Sequence, residues 1–411
     1  MERETKLWVG IDLGSRNHQV CVLNERKEVV LERICEHTGS AVLEVINQLV
    51  ALANGLAANV HVALETRQSA VVEMLLERGI AVYTINPKQL DRFRDRHSMA
   101  GAKDDRRDAF VLADSLCTDQ PLFRCVTLGA TELVELKALG RMRDELQVEA
   151  NVLSNRIEAE LMRCFPEFRA LGPIQTEPWL LDLLQVAPNP TQARQVRLSD
   201  IRSILKSHRI RKHSPELVHG LLQAPTVSVA PGVAESSARH ILLLIPRLRL
   251  VREQGRDCRQ DMKRLLAKLS EPEPNSQRQR DAAIVQSLPG AGTIVSATLL
   301  AEATQALAER DYAQLRSLSG IAPVTKRSGK STFVSMRRAC CSQLRVGVFH
   351  WARCSIQRDE RSKQHYARLR ARGHSHGRAL RGVADRLLAL LVTLLRRGEL
   401  FDEAKRTPLV A

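Results

Sequence analysis

Two kinds of hydrophobic pattern follow one another along the first third of the chain. Apolar residues alternate with polar ones in short runs, and between these runs they recur at helical spacing, as at Val42, Val45, Ile46 and Leu49. Three runs of strand type come first and helices separate the later ones, which predicts a mixed α/β sheet flanked by helices. The predicted strands are 6–13, 19–24, 28–34, 60–64 and 80–85, and the predicted helices are 40–54, 69–78, 87–96 and 104–116.

The remaining two thirds of the chain has mainly helical spacing. Two long helices with interleaved charges are predicted at 132–165 and 234–269, separated by a Pro- and Ser-containing region of short helices at 170–230. Helices of this length favour an antiparallel or intermolecular coiled coil, and hence a homo-oligomer, either dimer or tetramer. From Asp281 the chain is predicted to be helical to its end, apart from a loop rich in Gly, Pro and Ser at 319–335.

These patterns divide the chain into three predicted domains. An α/β domain covers 1–125, a helical linker or coiled coil with an inserted segment covers 126–280, and a mainly α-helical domain covers 281–411. The longest strongly apolar run of the last domain, 387–395, is too short to span a bilayer. The chain is therefore not expected to contact a membrane.

Basic residues are concentrated near the C-terminus. The 411 residues carry a formal net charge of +16, yet residues 1–125 hold 16 basic and 18 acidic side chains, whereas 326–411 hold 20 basic and 6 acidic ones. Such a tail favours a polyanion, DNA or RNA, although a merely solvated basic surface is the alternative. Aromatic residues make up only 3%, which argues against a binding mode based on many stacking rings.

Nine cysteines are scattered without a C-x-x-C pair. This spacing argues against a disulfide framework and against a zinc ribbon, and it favours a reducing compartment. The first residues, MERETKLWVG, lack the basic-then-apolar pattern of a signal peptide. A cytoplasmic protein is the expectation.

Four carboxylates stand where they could meet. Asp12 and Glu65 each end a predicted strand, and ligands collect at the carboxyl ends of strands in such sheets. Asp105 and Asp108 are three residues apart on a predicted helix and so share a face. Four acids without paired Lys or Arg would need Mg²⁺ or Mn²⁺ as counter-ion. One or two such ions could assist phosphodiester chemistry.

Simpler interpretations of these acids stay open. Each acid alone could be a solvated group or a cap, and Asp104 could replace Asp105 or cap the helix. The strand–Asp–x–Gly pattern also occurs in ATPases of the sugar-kinase and actin type, but the further phosphate and adenosine motifs of that class are not found.

A Pro-Gly-x-Gly turn separates two predicted helices at Leu288–Thr293. This is the helix-hairpin-helix pattern, in which Gly290, Gly292 and the start of the next helix at Thr293 bring backbone N–H groups to a nucleic-acid phosphate. A plain helical-hairpin turn has the same sequence.

The segment 320–331 contains a serine between basic and glycine residues. Ser328 could be a nucleophile or a phosphate contact, and the default alternative is a flexible loop. Gly329-Lys330-Ser331 has the ending of a Walker A loop, but the first glycine is missing and no clear strand precedes it, which argues against a P-loop. Basic residues in and after this segment, those from 336 onward being placed on a helical stretch, are predicted phosphate contacts: Lys326, Arg327, Lys330, Arg337, Arg338, Arg345 and Arg353.

Taken in order, these segments resemble a known family, the RuvC-like DEDD transposases of bacterial insertion sequences. That family comprises the bridge-RNA-guided recombinases and is related to the Piv-type DNA invertases. The resemblance runs through GIDLGSRNHQV, VALET, the K-x-D-x-x-D-A-x-x-L-A segment at 103–113, LPGAGTIVSATLLAE and SGIAPVTKRSGKS. It implies an RNase H/RuvC-like N-terminal domain, a helical coiled-coil linker and a C-terminal transposase domain.

The resemblance also implies roles for particular residues. Asp12, Glu65, Asp105 and Asp108 would be the metal-binding catalytic tetrad, and Ser328 would attack DNA to form a phosphoserine intermediate. Many relatives have a double serine where this chain has Arg327-Ser328, so Ser331 stays a second candidate. Arg67-Gln68, after Glu65-Thr66, also departs from the usual glycine-containing pattern.

The implied partners are the DNA of the element ends and target, and a structured noncoding RNA that pairs with both. Such a guide would account for site choice by a protein without an evident recognition helix. The sequence therefore predicts a site-specific DNA transposase. A RuvC-like endonuclease or junction resolvase that uses the acids alone is the alternative enzyme, and a non-catalytic nucleic-acid-binding scaffold is the alternative of another class.

Overall fold

Two compact units make up the protein. The computed structural model describes residues 5–66, 69–97, 104–126, 130–230, 232–272, 279–329 and 331–405. The first unit is Met1–Gly129 and the second is Ala130–Ala411. The further division predicted at 280 stays a prediction.

The first unit is built on a six-stranded mixed sheet. Its strand order is β3-β2-β1-β4-β5-β6, with β1–β4 and β4–β5 parallel and β1–β2, β2–β3 and β5–β6 antiparallel. The predicted mixed α/β sheet is therefore confirmed, with β6 as an additional edge strand. The strands are β1 (Leu7–Leu13), β2 (Asn17–Leu23), β3 (Val29–Glu36), β4 (Val60–Leu64), β5 (Ala81–Thr84) and β6 (Arg124–Val126).

Helices cover both faces of this sheet. Leu7, Val9 and Ile11 of β1 pack on one face against α1 and α2, whereas Trp8 of β1 and Ala63 of β4 pack on the other face with α4. Strand alternation explains this division, because neighbouring side chains of a strand point to opposite faces. The helices are α1 (Gly39–Leu52), α2 (Ala70–Glu77), α3 (Pro87–His97) and α4 (Asp105–Asp119).

The second unit is mostly helical, as predicted. It contains the two long helices, five-turn α15, six-turn α17 and shorter helices between them. The helices are α5 (Thr131–Cys164), α6 (Trp179–Val186), α7 (Pro190–Ala193), α8 (Leu198–Ser207), α9 (Pro215–Gln223), α10 (Val233–Ser270), α11 (Asp281–Ser287), α12 (Thr293–Glu302), α13 (Thr304–Ala308), α14 (Tyr312–Leu318), α15 (Ser342–Arg358), α16 (Glu360–Ala371) and α17 (His376–Arg397).

The long helices α5 and α10 lie antiparallel against each other within the chain. Near one end, Lys268 Nζ lies 2.8 Å from Glu132 Oε1, and near the other, Ser237 Oγ donates to Glu160 Oε2 at 2.7 Å. Each of these two helices contributes residues to two separate hydrophobic cores. One core includes Ile157 of α5 and the buried Trp179 of α6, and the other joins the starting turns of α5 to the helices after 280.

A β-hairpin interrupts the helices of the second unit where the sequence predicted a loop. It consists of β7 (Val324–Ser328) and β8 (Ser331–Ser335). The loop prediction gave too much weight to glycine and serine and too little to Val324, Phe333 and Val334, which favour strands. After the hairpin, 336–341 is not helical, so Arg337 and Arg338 do not lie on a helix as predicted.

No helix in the described ranges is long and apolar enough to cross a membrane. All nine cysteines are free thiols.

Candidate active site and nucleic-acid interface

Asp12 and Glu65 stand at the carboxyl ends of the parallel strands β1 and β4. Gly10 of β1 pairs with Ala63 of β4, and extending that register by two residues brings Asp12 opposite Glu65. Adjacent strands are about 4.8 Å apart. Asp12 alternates in phase with Trp8, and Glu65 with Ala63, so both carboxylates belong to the face of the sheet that α4 covers.

Gly10 brings α4 against the sheet. A Cβ at this position would overlap the backbone oxygen of Ala109 and lie 2.7 Å from the backbone nitrogen of Ala113. The helix therefore rests directly on the backbone of β1, next to the strand end that carries Asp12. The sequence reasoning missed this residue, although a glycine inside a strand is a known signal for close backbone approach.

Asp108 of α4 is buried and bound to an arginine. It is 1% exposed, and Arg94 of α3 donates to it twice, from Nε to Oδ1 at 2.5 Å and from Nη2 to Oδ2 at 2.7 Å. These hydrogen bonds, together with the charges of Asp108, Asp91 and Glu65, raise the pKa of Arg94. The expectation that the acids would lack a paired cation is therefore wrong for Asp108.

Arg94 also reaches Glu65. Its Nη2 lies 3.8 Å from Glu65 Oε1, and its Nη1 lies 2.5 Å from Asp91 Oδ1. One guanidinium thus pairs with a carboxylate just after β4, one on α3 and one on α4. Arg94 was not predicted, and its only signal was a basic position on the helix that precedes the acidic one.

Asp104 and Asp105 separate into different roles at the start of α4. The Asp104 side chain accepts a hydrogen bond from the backbone N–H of Arg106, so of the two alternatives for Asp104 the structure has the cap. Asp105 is the first residue of the helix, exposed and one turn before Asp108. Arg106 Nε donates to Glu32 Oε2 at 2.8 Å, which ties this end of α4 to β3 and lowers the pKa of Glu32.

The donor set at this edge suits a hard divalent cation. In the part of the chain that the structure describes, no three His, Cys, Asp or Glu side chains are gathered closely enough to hold a metal ion. Instead, the positively charged guanidinium of Arg94 forms ion pairs with both Glu65 and Asp108. Carboxylate oxygens are the ligands that Mg²⁺ and Mn²⁺ prefer. Glu65 and Asp108 are therefore of the ligand type that such an ion takes, and in this structure they pair with Arg94.

The Pro-Gly-x-Gly turn joins α11 to α12 and packs against α15. Gly290 has a φ of +77°, and a Cβ there would lie 2.7 Å from the backbone nitrogen of Ser355. The carbonyl of Pro289 accepts hydrogen bonds from Trp351 Nε1 at 3.0 Å and Ser355 Oγ at 2.7 Å. Gly290 therefore serves internal packing. Gly292 is exposed, and Thr293 begins α12, so this side of the turn faces solvent.

Ser328 and Ser331 are cross-strand partners at the tip of the β7–β8 hairpin. Both are exposed, as are Lys326 and Arg327 on β7, and Gly329 between them has a φ of +56°. Lys330 lies outside the described residues. A strand does precede Gly329, contrary to the expectation, but a strand rather than a helix follows Ser331, so the segment is not a P-loop.

Two of the predicted basic contacts support the backbone after the hairpin. Arg345 Nη2 donates to the carbonyl oxygens of Arg337 and Arg338 at 2.9 and 3.1 Å, and Arg337 Nε donates to the Ala322 carbonyl at 3.3 Å. Arg338 and Arg353 have exposed side chains. Among the predicted contacts that the structure describes, Arg337 and Arg345 hold backbone carbonyls. The exposed ones are Lys326, Arg327, Arg338 and Arg353.

Two segments of the chain match models of known protein families. Residues 9–166 match the DEDD family model of IS110 type, described as a transposase, and residues 282–367 match the model described as the transposase IS116/IS110/IS902 family. The first match spans Asp12, Glu65, Asp105 and Asp108, and the second spans the hairpin.

Individual relatives agree with these family models. The chain is 36% identical to the "Putative transposase y4uE" of Sinorhizobium fredii over 58% of this chain and 65% of that protein. It is 26% identical to the "Mini-circle putative transposase for IS117" of Streptomyces coelicolor over 98% of this chain and 97% of that one. It is 30% identical to a Streptomyces coelicolor protein of insertion element IS110 over 73% of this chain and 72% of that protein.

Proposed function

Because this chain belongs to the IS116/IS110/IS902 family of transposases, we propose that it cuts and rejoins DNA strands at specific sites, using the acidic edge of its sheet and a serine of its hairpin. The observation that carries the proposal is that Glu65 and Asp108 share one guanidinium, that of Arg94, on the sheet face to which the strand register also assigns Asp12. A RuvC-like fold of the first unit is compatible with its mixed sheet.

The acidic edge would hold Mg²⁺ or Mn²⁺ through Asp12, Glu65 and Asp108, with Asp105 available at the exposed start of α4. A bound divalent ion stabilises negative charge on the phosphodiester oxygens. The chain's own contribution is position: Gly10 brings α4 to β1, and Asp108 is fixed by its burial. Arg94 pairs with Glu65 and Asp108 at this edge.

Ser328 would act as the nucleophile. Its Oγ attacks phosphorus and forms a phosphoserine bond, while the bond from phosphorus to the leaving deoxyribose oxygen breaks and that oxygen takes up the proton that the serine hydroxyl releases. Attack by the hydroxyl of another strand reverses the step, so the phosphodiester count is conserved. Exposure at the hairpin tip and the neighbouring Lys326 and Arg327 support Ser328, and Ser331 is the alternative.

We further propose a structured guide RNA as partner beside the DNA. The C-terminal segment 326–411 has a net charge of +14, which suits a polyanion, and the scarcity of aromatic residues favours site choice by base pairing.

A homo-oligomer through the long helices is the remaining proposal. Val148 and Val152 on α5 and Leu243 and Leu250 on α10 are exposed, at 62%, 43%, 64% and 54%. Val148 and Val152 are four residues apart and Leu243 and Leu250 seven residues apart, so each pair lies on one face of its helix, where a partner helix could cover it. Analytical ultracentrifugation should show a dimer or tetramer that Leu243→Glu with Leu250→Glu dissociates, and a wild-type monomer in the presence of nucleic acid would contradict this.

Trapping the protein on DNA of its element ends tests the nucleophile directly. Mass spectrometry should find a DNA adduct at Ser328, and Ser328→Ala should abolish strand transfer while Ser331→Ala retains it. The opposite pattern would assign Ser331.

The same variants separate the alternative functions. A resolvase that uses the acids alone would still nick DNA as Ser328→Ala. A non-catalytic scaffold would show every activity unchanged in Asp12→Asn, whereas the proposed enzyme loses strand transfer in that variant.

A further inference from the structure

A cavity of about 600 Å³ lies in the second unit between α5, α6 and α10. It shares no residue with the candidate sites described above. Basic side chains outnumber acidic ones in its lining, because five arginines and one histidine meet two carboxylates. The charged lining residues are Arg143, Arg249, Arg252, Arg256, Arg259, His208, Asp182 and Glu253.

Of the two carboxylates, Asp182 is already neutralised, whereas Glu253 is exposed and has no ion-pair partner among the described residues. Asp182 of α6 forms an ion pair with Arg249 and lies 2.6 Å, at Oδ2, from His208 Nε2. Arg143 has its own partner in Asp144. The positive charge of Arg252, Arg256 and Arg259 is thus left without a carboxylate partner within the described ranges.

Arg252 is held in position and left with an unused donor. Its Nη2 donates to the carbonyl oxygens of Ile174 and Gln175 at 2.6 and 3.2 Å, whereas its buried Nη1 has no hydrogen-bond partner among the described residues. Burial lowers the pKa of this guanidinium. A desolvated cation without a counter-ion costs free energy, and an anion in the cavity would relieve that cost.

Arg252, Arg256 and Arg259 form one row of cations along α10. Their spacings of four and three residues place them on the same helix face. Separate arginines on an open surface would not indicate a binding site. These three, however, line a common cavity together with Gln147, Asn151 and Gln175. Guanidinium groups bind phosphate through paired N–H donors, and the cavity has the volume of a typical ligand site.

We propose that this cavity binds backbone phosphate of a nucleic-acid strand, with the half-buried Arg252 as its anchor and Arg256 and Arg259 as its exposed contacts. This proposal rests on nucleic acid being the partner of the protein, as proposed above, and adds a binding site separate from the hairpin and the acidic edge. RNA and DNA share the phosphate chemistry, so the experiment distinguishes them.

The test uses the full chain as Arg256→Ala with Arg259→Ala. Both side chains are exposed and have no described ion-pair partner, so the melting temperature should not change. The control is Arg239→Ala with Arg247→Ala, which removes the same charge from exposed positions of α10 outside the cavity. Fluorescence anisotropy measures binding of labelled single-stranded RNA and of duplex DNA of equal length over a range of salt concentrations.

The slope of log affinity against log salt should become shallower by about two in the cavity variant, for RNA, for DNA or for both, and by less than about one in the control. The probe that responds identifies the strand that occupies the cavity. Equal behaviour of cavity variant and control overturns the cavity site alone. Failure of the wild-type chain to bind either probe overturns this site together with the proposed function.

Discussion

At the residue scale, Gly10 and Arg94 determine how the acidic edge is assembled. The absence of a Cβ at Gly10 lets α4 contact β1, and the guanidinium of Arg94 compensates the charge of Asp108. Neither residue would be a metal ligand. Both position Asp108: Gly10 lets α4 pack on the sheet, and Arg94 pairs with the Asp108 carboxylate.

Gly10→Ala should destabilise the first unit by on the order of 3 kcal/mol, because the new methyl group overlaps backbone atoms that cannot rotate away. Thermal unfolding followed by circular dichroism measures this. Gly39→Ala is the matched control, since a Cβ at Gly39 meets nothing within 4 Å and the position is helical. Equal melting temperatures of the two variants would contradict the close packing of α4.

Arg94→Ala should lower stability by about 3 kcal/mol without metal, because it leaves the buried Asp108 carboxylate unpaired. Added Mg²⁺ or Mn²⁺ should then raise the melting temperature of the variant more than that of the wild type, since the ion no longer competes with a guanidinium.

The control for this experiment is Arg33→Ala. It breaks the more exposed pair of Arg33 with Glu44 and should cost less than about 1 kcal/mol. Its response to metal should equal that of the wild type. An equal response in Arg94→Ala as well would show that Arg94 does not occupy an ion site.

At the element scale, most of the architecture follows from the hydrophobic pattern. Val42, Val45, Ile46 and Leu49 are buried on α1 as their spacing predicts. Strand β6 escaped prediction because three residues carry too little pattern, and pairing with β5, as in Val82 with Val126, is what defines it. The hairpin escaped because its turn residues resemble those of a loop.

The candidate site was predictable only in part for a related reason. Strand ends place Asp12 and Glu65, since alternation and parallel pairing are local rules. The ion pair of Arg94 with Asp108 joins different helices, and no spacing rule within one helix connects positions 14 residues apart across two helices. Such a contact can be predicted only once the packing of the two helices is known.

Leu161→Ala on α5 should cost about 2–5 kcal/mol, because the side chain is fully buried in the core shared with α10 and its loss leaves a cavity. Met162→Ala, its neighbour at 51% exposure, should change stability by less than about 0.5 kcal/mol. Urea titration of both variants measures the difference. Similar midpoints would mean that the predicted pairing of α5 with α10 carries little of the stability.

At the scale of the whole molecule, positive charge is concentrated in the segment that carries the hairpin. The net charge changes from −2 over 1–125 to +14 over 326–411. The affinity for nucleic acid should therefore fall steeply as the salt concentration rises, because binding releases counter-ions from the phosphates.

Lys326→Ala with Arg327→Ala should make the salt slope of DNA binding shallower by about two, because both side chains are exposed at the hairpin. The control, Arg26→Ala with Arg78→Ala, removes equal charge from exposed positions of the first unit. Filter binding at several salt concentrations compares them. A control that lost as much would indicate a general charge effect instead of a hairpin contact.

The long helices have one more consequence, for the way the second unit melts. Leu136 of α5 and Met262 of α10 belong to one core, and Ile157 and Ile245 of the same helices belong to the other. Neither core can lose its order without fraying helices that the other core needs. Calorimetry should therefore record a single heat-absorption peak for the second unit, because its two hydrophobic cores would unfold together in one cooperative transition.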